Sequence, residues 1–366
     1  MRSRQMIRVL HIFYEMANGG IEHFVMNYYR HIDRSKVQFD FLVSVETSGP
    51  FDDEIKSLGG KIYHAYPLKK NPIKNFFDIA HIVQKNGYSI VHRHTGSAFG
   101  YYELRAAKRG GAKRLILHAH NNSAGNPLLH YICKWVLPIK CEKLACSRAA
   151  GIWLFGQNQS VHLIGNAIEC EKFRFSEDVR NAVRAEFSIQ NKLVIGHVGR
   201  FENQKNHKRL LKIFKQLTTK TSQECVLICV GSGSLKEEVE REAVLLGIRE
   251  QVLFLGARTD INRLMQIFDV FVLPSLYEGF PIVLVEAQTS GLPCVVSNFV
   301  PEECNVSGNV RFCQLESLDE VWAETIIKSS QLPINRDSYA EKMKQAGFDI
   351  AKCAEYLCKY YQGAEN

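Results

Sequence analysis

The chain of 366 residues is 46% hydrophobic and 23% charged, which is a folded globular composition and is long enough for two α/β domains. This composition excludes a disordered chain, and cores of this size need neither a metal nor a disulfide to form. The formal charge of +8 is concentrated in residues 1–168, which hold 22 Lys and Arg against 11 Asp and Glu. This basic half predicts either a solvated surface or an affinity for an anionic membrane or lipid-linked acceptor, and it matches no nucleic-acid-binding module.

In residues 1–168, short apolar strands alternate with longer stretches of helical periodicity. This alternation predicts a parallel sheet with helices on both faces. We therefore expect a Rossmann-like N-terminal domain over this range. The predicted strands are at residues 8–14, 38–44, 61–64, 90–92, 114–118, 143–146 and 161–164.

The same pattern restarts after a polar, charged segment at residues 165–178, where we place the domain boundary. A second Rossmann-like domain is expected over residues 169–345. Residues 338–361 show the periodicity of one or two amphipathic helices. The strands predicted for the second half are at residues 193–198, 225–230, 252–255, 270–274 and 293–297.

The 11 cysteines are scattered and form neither a zinc-site spacing nor a disulfide framework, which favours reduced thiols in the cytoplasm. No apolar run approaches the roughly 18 residues that a membrane-spanning helix needs, and the N-terminus lacks the apolar core of a signal peptide. We therefore expect a cytoplasmic protein, either soluble or attached to the inner face of the cytoplasmic membrane.

The strongest local signal is a pair of glutamates that follows a predicted strand of the second half. Pro281 is a favoured first residue of a helix, which places Glu286 in the second helical turn. Glu278 and the amides of Gly279 and Phe280 then lie at the helix N-terminus, where the dipole and the free N–H groups suit a phosphate or sugar hydroxyls. A carboxylate can also accept hydrogen bonds from both hydroxyls of a ribose. Two solvated glutamates on a surface helix are the alternative that the spacing leaves open.

Two basic residues, Arg200 and Lys205, lie five positions apart in the loop after the predicted strand at residues 193–198. The carboxyl end of a parallel strand is where open α/β sheets bind ligands. Two fixed cations at that end could neutralise the charge that grows on a departing diphosphate. Solvated surface charge is the alternative for such a pair on its own.

Glycines and one histidine also follow predicted strands. Gly19 and Gly20 join the first strand to the first helix, and Gly231 and Gly233 occupy the matching position in the second half. Such glycines let a backbone approach a ligand closely, although a Gly-Gly pair alone indicates only a turn. His120 lies just past the fifth strand, at a sheet edge where it could orient a sugar hydroxyl, whereas a lone histidine is more often structural.

Several familiar catalytic signatures are missing from the sequence. It contains no D-x-D, H-E-x-x-H, Walker A or G-x-S-x-G pattern, and no candidate for an enzymic nucleophile is found. We therefore expect a site that works without a metal and without a cofactor.

Taken together and in this order, these segments resemble the family-4 glycosyltransferases of the GT-B fold, especially the bacterial branch that builds exopolysaccharide and capsule. The resemblance covers nearly the whole chain. It rests on the glycine loop after the first strand, the histidine after the fifth, the G-R-x(4)-K-N pattern at 199–206 and the E-x(7)-E pattern at 278–286. Asn166 matches the hinge that usually reads N-G-I-D, with Ala167 in place of Gly and Glu169 in place of Asp.

The resemblance implies an α/β GT-B architecture, in which two Rossmann-like domains face a central cleft. The N-terminal domain would bind the acceptor and the C-terminal domain the nucleotide sugar. A helix in residues 346–366 would cross back to the N-terminal domain. The implied reaction is a retaining transfer from a nucleotide sugar, a UDP-sugar by family frequency, to a glycan or lipid-linked acceptor in surface-polysaccharide synthesis.

By the same resemblance, Arg200 and Lys205 would hold the donor diphosphate and Glu286 the ribose. Glu278, with the loop after it, would hold the transferred sugar, which His120 would contact from the other domain. The expected catalytic set is therefore His120, Arg200, Lys205 and Glu278. The residues expected to bind substrate are Gly19, Gly20, Asn166, Gly231, Gly233, Arg258, Gly279, Phe280, Pro281 and Glu286.

Two other functions remain open at this stage. A sugar-nucleotide epimerase of the GT-B fold would bind the same donor without transferring its sugar, although the paired E-x(7)-E and G-R-x(4)-K patterns favour transfer. A catalytically silent partner of a glycosyltransferase is the second alternative. Phosphorylase-like chemistry is disfavoured because the sequence has no recognisable pyridoxal site.

Overall fold

The computed structural model describes residues 6–17, 19–121, 124–333 and 335–363. The chain divides into two compact units, of which unit 1 comprises residues 1–167 and 350–366 and unit 2 comprises residues 168–349. The chain thus leaves unit 1 after Ala167 and returns to it at Ile350. From the sequence, we expect the N-terminal domain to end at residue 168 and the C-terminal segment that returns to it to begin at residue 346.

Unit 1 is built on a parallel sheet with helices between its strands; elements are numbered in chain order. Its strands are β1 (Ile7–Ile12), β2 (Val37–Val43), β3 (Ile62–His64), β4 (Ile90–Thr95), β5 (Arg114–Ala119), β6 (Glu142–Ala145) and β7 (His162–Leu163). Its helices are α1 (Gly20–His31), α2 (Asp52–Ser57), α3 (Pro72–Asn86), α4 (Gly100–Arg109), α5 (Pro127–Val136), α6 (Arg148–Phe155) and α14 (Ile350–Tyr361). Within the described residues the strand order is β3-β2-β1-β4-β5-β6-β7.

Helices α3 and α5 begin with the same N-capping arrangement, an asparagine followed by a proline. The side chain of Asn71 accepts a hydrogen bond from the Lys74 N–H at 3.0 Å, and Asn126 accepts one from the Leu129 N–H at 3.0 Å. Each cap is followed by a proline, whose fixed φ suits the first helical turn and whose missing N–H needs no partner there. Sequence alone thus defines where both helices start.

Helix α14 completes the hydrophobic core of unit 1, although it lies far from the rest of the unit in sequence. It packs on α1, and Ile350, Leu357 and Tyr361 are buried in the core. The Arg114 guanidinium, at the start of β5, donates to the Tyr361 carbonyl at 2.9 Å. Both apolar packing and hydrogen bonds therefore hold this helix in unit 1.

Unit 2 repeats the plan with a second parallel sheet. Its strands are β8 (Leu193–Val198), β9 (Cys225–Val230), β10 (Val252–Gly256), β11 (Val270–Leu273), β12 (Cys294–Ser297) and β13 (Val310–Cys313). Its helices are α7 (Glu177–Glu186), α8 (His207–Lys220), α9 (Lys236–Leu245), α10 (Ile261–Ile267), α11 (Ile282–Thr289), α12 (Asp319–Ser330) and α13 (Tyr339–Gln345). Within the described residues the order is β10-β9-β8-β11-β12-β13.

The predicted fold class, two Rossmann-like parallel sheets, is confirmed. Strand β13 was missing from the prediction because it has only four residues and exposes Arg311 in its middle, which interrupts the apolar run. The 11 cysteines all lie among the described residues, and none of them forms a disulfide. Of the helices in the described part of the chain, none combines the length and the apolar character needed to cross a membrane.

Candidate active site

A buried ion pair lies at the carboxyl edge of the unit 2 sheet, where the loops after the neighbouring strands β8 and β11 meet. Lys205 Nζ is 2.6 Å from Glu278 Oε1, and the Glu278 side chain is buried. These two residues come from the two strongest patterns in the sequence. Opposite charges that compensate each other can remain charged at a buried position, which isolated charges cannot do cheaply.

Hydrogen bonds between the two loops fix the position of this pair. The Leu276 N–H donates to the Gln204 carbonyl at 2.8 Å, and Gln204 Nε2 donates to the Tyr277 carbonyl at 2.9 Å. Ser275 Oγ donates to Glu278 Oε1 at 2.7 Å, so this carboxylate oxygen accepts from both a serine and a lysine. Sequence reasoning missed both residues because Gln204 occupies a variable position of the G-R-x(4)-K-N pattern and Ser275 precedes the E-x(7)-E pattern. Their contacts are set by the adjacency of β8 and β11.

Gly231 and Gly233 bring the loop after β9 against the loop that carries Arg200. Their φ angles are +144° and +157°, values that residues with a Cβ rarely adopt. A Cβ on Gly231 would lie 2.0 Å from the Gly199 carbonyl oxygen, and one on Gly233 would lie 2.5 Å from the Phe201 carbonyl oxygen. The glycines therefore position the Arg200 backbone, whose side chain is exposed.

The helix predicted near Pro281 is α11, which begins at Ile282 with Pro281 as its N-cap. Just before it, Gly279 is partly buried, and the ring of Phe280 stacks on Phe348 with 5.6 Å between centroids, which fixes the entry to the helix. Glu286, in the second turn, is partly buried. Loss of water around its carboxylate raises the pKa of Glu286 to about 8, against the opposing effect of the Lys172 charge.

Arg258 lies in an exposed loop after β10 and already has an ionic partner. Its Nε and Nη2 donate to the two carboxylate oxygens of Asp260 at 2.8 and 2.7 Å. This bidentate pair raises the pKa of Arg258. A ligand contact of Arg258 would have to compete with Asp260.

In unit 1, the predicted glycine loop forms the N-terminus of helix α1. Gly19 is the N-cap with an ordinary extended conformation, and Gly20 is the first helical residue. A Cβ on Gly20 would meet no atom within 4 Å, so this position leaves room for a ligand. Asn18, which precedes them, lies outside the described residues. Asn166 lies next to Ala167, whose carbonyl accepts a hydrogen bond from Asn27 Nδ2 at 3.3 Å.

His120 belongs to a cluster of buried histidines on one face of the unit 1 sheet. His92 and His94 point to the same side of β4, and the strand register sets His11 beside His92 and His118 beside His94. His120 follows the end of β5 and is almost completely buried. Neighbouring strands thus stack five imidazoles, of which the sequence prediction named one as functional.

One hydrogen-bonded chain in this cluster has its donors and acceptors fixed at both ends. His118 Nε2 is 3.2 Å from the Ile164 carbonyl, which can only accept, so His118 is protonated on Nε2 and accepts at Nδ1. His92 Nε2 must then donate to His118 Nδ1 at 3.2 Å, and His92 Nδ1 accepts from the Tyr361 hydroxyl at 2.6 Å. This chain ties α14 to β4, β5 and the end of β7.

A second chain leads through the cluster to His120. His11 Nδ1 is 2.9 Å from His94 Nε2, and His94 Nδ1 is 2.9 Å from His120 Nε2. Burial lowers the pKa of His11 to about 3 and holds the pKa values of His94 and His120 well below the ordinary range. The imidazoles of this chain are therefore neutral at physiological pH.

Two triads in the cluster have the spacing of a metal site. Their ligand nitrogens lie within 4.8 Å of one another. However, both ring nitrogens of His92, His94 and His118 already have hydrogen-bond partners. Hydrogen bonding therefore accounts for the arrangement without a metal. The triads are His11, His92 and His94, and His94, His118 and His120.

Comparisons with known proteins agree with this architecture. The family model described as "Glycosyltransferase Family 4" matches residues 18–172, and the one described as "Glycosyl transferases group 1" matches residues 179–347. The structure of Anabaena Alr3699/HepE in complex with UDP-glucose superposes with a TM-score of 0.79 at 19% identity, over 98% of this chain and 100% of that chain.

Two relatives are similar in sequence over most of their length. EpsF of Bacillus subtilis (strain 168), a protein named provisionally as a glycosyltransferase, is 37% identical over 97% of this chain and 96% of its own. The UDP-Gal:alpha-D-GlcNAc-diphosphoundecaprenol alpha-1,3-galactosyltransferase of Escherichia coli is 27% identical over 74% of each chain. From the full-length similarity to EpsF and the two family matches, we conclude that the chain belongs to the family-4 glycosyltransferases of the GT-B fold.

Proposed function

We propose that this glycosyltransferase moves a sugar from a UDP-sugar to a lipid-linked glycan acceptor with retention of the anomeric configuration. The observation that carries the proposal is the contact between Lys205 and Glu278 at the carboxyl edge of the unit 2 sheet. A UDP donor is supported by the names of the E. coli galactosyltransferase and of the HepE complex.

Charge neutralisation would supply the main part of the catalysis. As the anomeric C–O bond to the diphosphate breaks, negative charge grows on the leaving group, which Lys205 and Arg200 would stabilise. The acceptor oxygen forms the new bond to the same carbon, and its proton passes to the leaving phosphate oxygen. No enzymic nucleophile takes part, which agrees with Glu278 being held by Lys205 and Ser275 rather than free.

The remaining site residues would orient the donor. Glu278 and the amides of the loop before α11 would bind the transferred sugar, and Glu286 would accept hydrogen bonds from the ribose. His120 would donate to an oxygen of the donor. The reaction would need neither a metal nor a cofactor, because the two cations of the Arg200 loop take the role of a bridging metal.

The acceptor would be carried on a lipid diphosphate at a membrane surface, as part of surface-polysaccharide synthesis. The E. coli relative is named for an acceptor of this kind. The excess of basic residues in residues 1–168 supports attraction to the negatively charged headgroups and the diphosphate linker.

A transfer assay tests this function directly. Nucleotide sugars that raise the melting temperature are incubated with undecaprenyl-diphosphate-linked saccharides, and the product linkage is read by NMR. We expect a glycolipid whose new linkage has the same anomeric configuration as the donor. An epimer formed from donor alone would identify an epimerase, and binding of a donor without turnover on any acceptor would identify a silent partner.

A further inference from the structure

Helix α5 (Pro127–Val136) presents an apolar face to solvent. Trp135 is 85% exposed, Leu128 72% and Val136 66%, and Tyr131 and Ile132 are also exposed. These positions recur at intervals of three and four residues, so they share one side of the helix. A contiguous exposed apolar face of this kind marks a surface that another partner covers.

The opposite side of α5 is firmly attached to unit 1. His130 is buried, its ring stacks on Trp153 with 4.3 Å between centroids, and its Nδ1 accepts from the Ala98 N–H at 3.1 Å. Lys134 Nζ donates to the Trp153 carbonyl at 2.7 Å. The inner side is therefore the polar one, which reverses the usual pattern of a surface helix.

The charge of the chain segment that contains α5 distinguishes between the partners that could cover the helix. Residues 104–168 hold nine Lys and Arg and one acidic residue, Glu142, whose carboxylate is paired with Arg114 at 2.9 Å. Arg105 borders the end of the helix, with its Nε 2.8 Å from the Leu137 carbonyl. A second copy seated on the same face would bring like charges together, whereas anionic lipid headgroups would be attracted.

We propose that α5 docks this chain onto an anionic bilayer, with Leu128, Ile132 and Trp135 among the acyl chains and Arg105 and other cations of the basic segment 104–168 attracted to the headgroups. A helix of 10 residues is too short to span a bilayer and suits the interface, where tryptophan is enriched. This surface deepens the proposed function because it would hold unit 1 beside a lipid-linked acceptor.

Vesicle binding tests the docking surface without requiring any activity. Vesicles of phosphatidylglycerol and phosphatidylcholine should sediment the full chain and shift its tryptophan emission to the blue, because Trp322 is already fully buried and Trp135 is exposed. The double variant Leu128→Gln/Trp135→Gln should bind at least tenfold less. The matched control is Val244→Gln/Leu245→Gln on α9 of unit 2, where Leu245 is 82% exposed; it should bind normally.

Two results would overturn the docking proposal. Equal vesicle binding by both double variants would show that α5 is not the contact surface. The unmodified chain could instead fail to bind anionic vesicles and form dimers that the α5 double variant abolishes. That result would assign the apolar face to contact with a second copy of the chain. Neither result depends on transfer activity, so the proposed function is tested separately.

An independent observation, an unpaired ring nitrogen, concerns His120. His11 Nε2 is buried and has no hydrogen-bond partner within the described part of the chain. A buried N–H without an acceptor is rarer than a buried lone pair without a donor, so His11 carries its proton on Nδ1. It donates to His94, which in turn donates to His120 Nε2, and the remaining proton of His120 is on Nδ1.

We infer that His11 and His94 are positioning residues that make His120 a hydrogen-bond donor through Nδ1, suited to a sugar or phosphate oxygen. This inference rests on the proposed function, in which His120 contacts the donor. The other chain, from Tyr361 through His92 to His118, does not include His120 and provides an internal comparison.

NMR of the full chain labelled with ¹⁵N-histidine reads the tautomers directly. We expect protons on Nδ1 of His11, His94 and His120, and on Nε2 of His92 and His118. A proton on Nε2 of His120 would overturn the inference. This measurement needs no turnover, so it holds even if the proposed transfer reaction fails its own test.

Kinetics separates positioning from packing. His94→Leu should lower kcat at least tenfold with little change in the KM for the acceptor, and His94→Asn should recover part of the loss because its amide can donate where Nδ1 did. His92→Leu, on the same face of β4, should lower the melting temperature and leave kcat near normal. Equal loss of kcat in the His92 and His94 variants would show that the histidines act only through packing and that His94 does not position His120.

Discussion

The carboxyl edges of the two sheets carry opposite kinds of polar chemistry. In unit 2 the edge holds a compensated ion pair, Lys205 with Glu278, fixed by hydrogen bonds between two loops. In unit 1 the edge holds imidazoles that burial keeps uncharged, ending at His120. In the proposed function, the first edge would bind a ligand group whose charge changes during the reaction, and the second would orient hydroxyls.

The two edges differ in how the desolvation of their buried polar groups is compensated. In the pair of Lys205 and Glu278, each side chain supplies an opposite charge that offsets part of the desolvation cost of the other. The histidines have no carboxylate partner among the contacts described above, so desolvation removes their charge and leaves directional hydrogen bonds. Four experiments test this contrast.

The largest effect is expected for Lys205→Ala, which should lower the transfer rate by about three orders of magnitude. The change removes the cation that is proposed to stabilise the leaving diphosphate, and it leaves the buried Glu278 without this partner. Steady-state rates measure it, and circular dichroism checks the fold. Lys208→Ala is the control because Lys208 pairs with Glu238 on the exposed side of α8; comparable losses in both variants would contradict the contrast.

Acidification should destabilise unit 1 through its histidines. Burial lowers the pKa of His11 to about 3, so between that pH and about 6.5 the unfolded chain binds a proton that the folded chain does not. Each such histidine costs about 1.4 kcal/mol of unfolding free energy per pH unit as the pH falls through this window. Urea unfolding at several pH values should therefore show a flatter slope for His11→Gln, and an unchanged slope would mean that His11 titrates normally.

Donor affinity should depend on pH through Glu286. Burial raises the pKa of Glu286 to about 8, and ribose hydroxyls favour the ionised acceptor, so the Kd for a UDP-sugar should fall by about tenfold between pH 7 and 9. Calorimetry measures this change. In Glu286→Gln the affinity should be weaker and independent of pH; a persistent slope would assign the titration to another group.

The smallest effect is expected from removal of metal ions. Treatment with EDTA should change the transfer rate by less than about twofold, because lysine and arginine would neutralise the diphosphate. Dialysis followed by rate measurements with and without added Mg²⁺ tests this. A rate restored only by a divalent cation would contradict the proposed site and would direct attention to the histidine triads.

The sequence predicted most of the architecture because apolar runs separated by helical periods are local features. Its boundary error for α11 was one residue, since Pro281 is the N-cap and not the first helical residue. Strand β13 was not predicted because the exposed charge of Arg311 interrupts the apolar run of a strand that has only four residues. The other edge strands, β3, β7 and β10, were predicted because no exposed charge interrupts their apolar runs in this way.

The site was predicted unevenly for a related reason. Lys205 and Glu278 lie in recognisable patterns, but their direct contact depends on β8 and β11 being neighbours, which spacing along the chain does not give. The chain from His11 to His120 is still less visible, because it depends on the lateral register of three strands. Local patterns located the residues, and only the sheet order located their partners.

The position of α14 has a consequence for biosynthesis. Unit 2 is encoded by one uninterrupted stretch, residues 168–349, whereas the core of unit 1 also needs the helix that follows this stretch. During synthesis on the ribosome, the apolar surface of unit 1 that α14 covers therefore stays exposed while unit 2 emerges. The unit encoded second can reach its native state first, which inverts the usual vectorial order of domain folding and makes chaperone contact most valuable for residues 1–167.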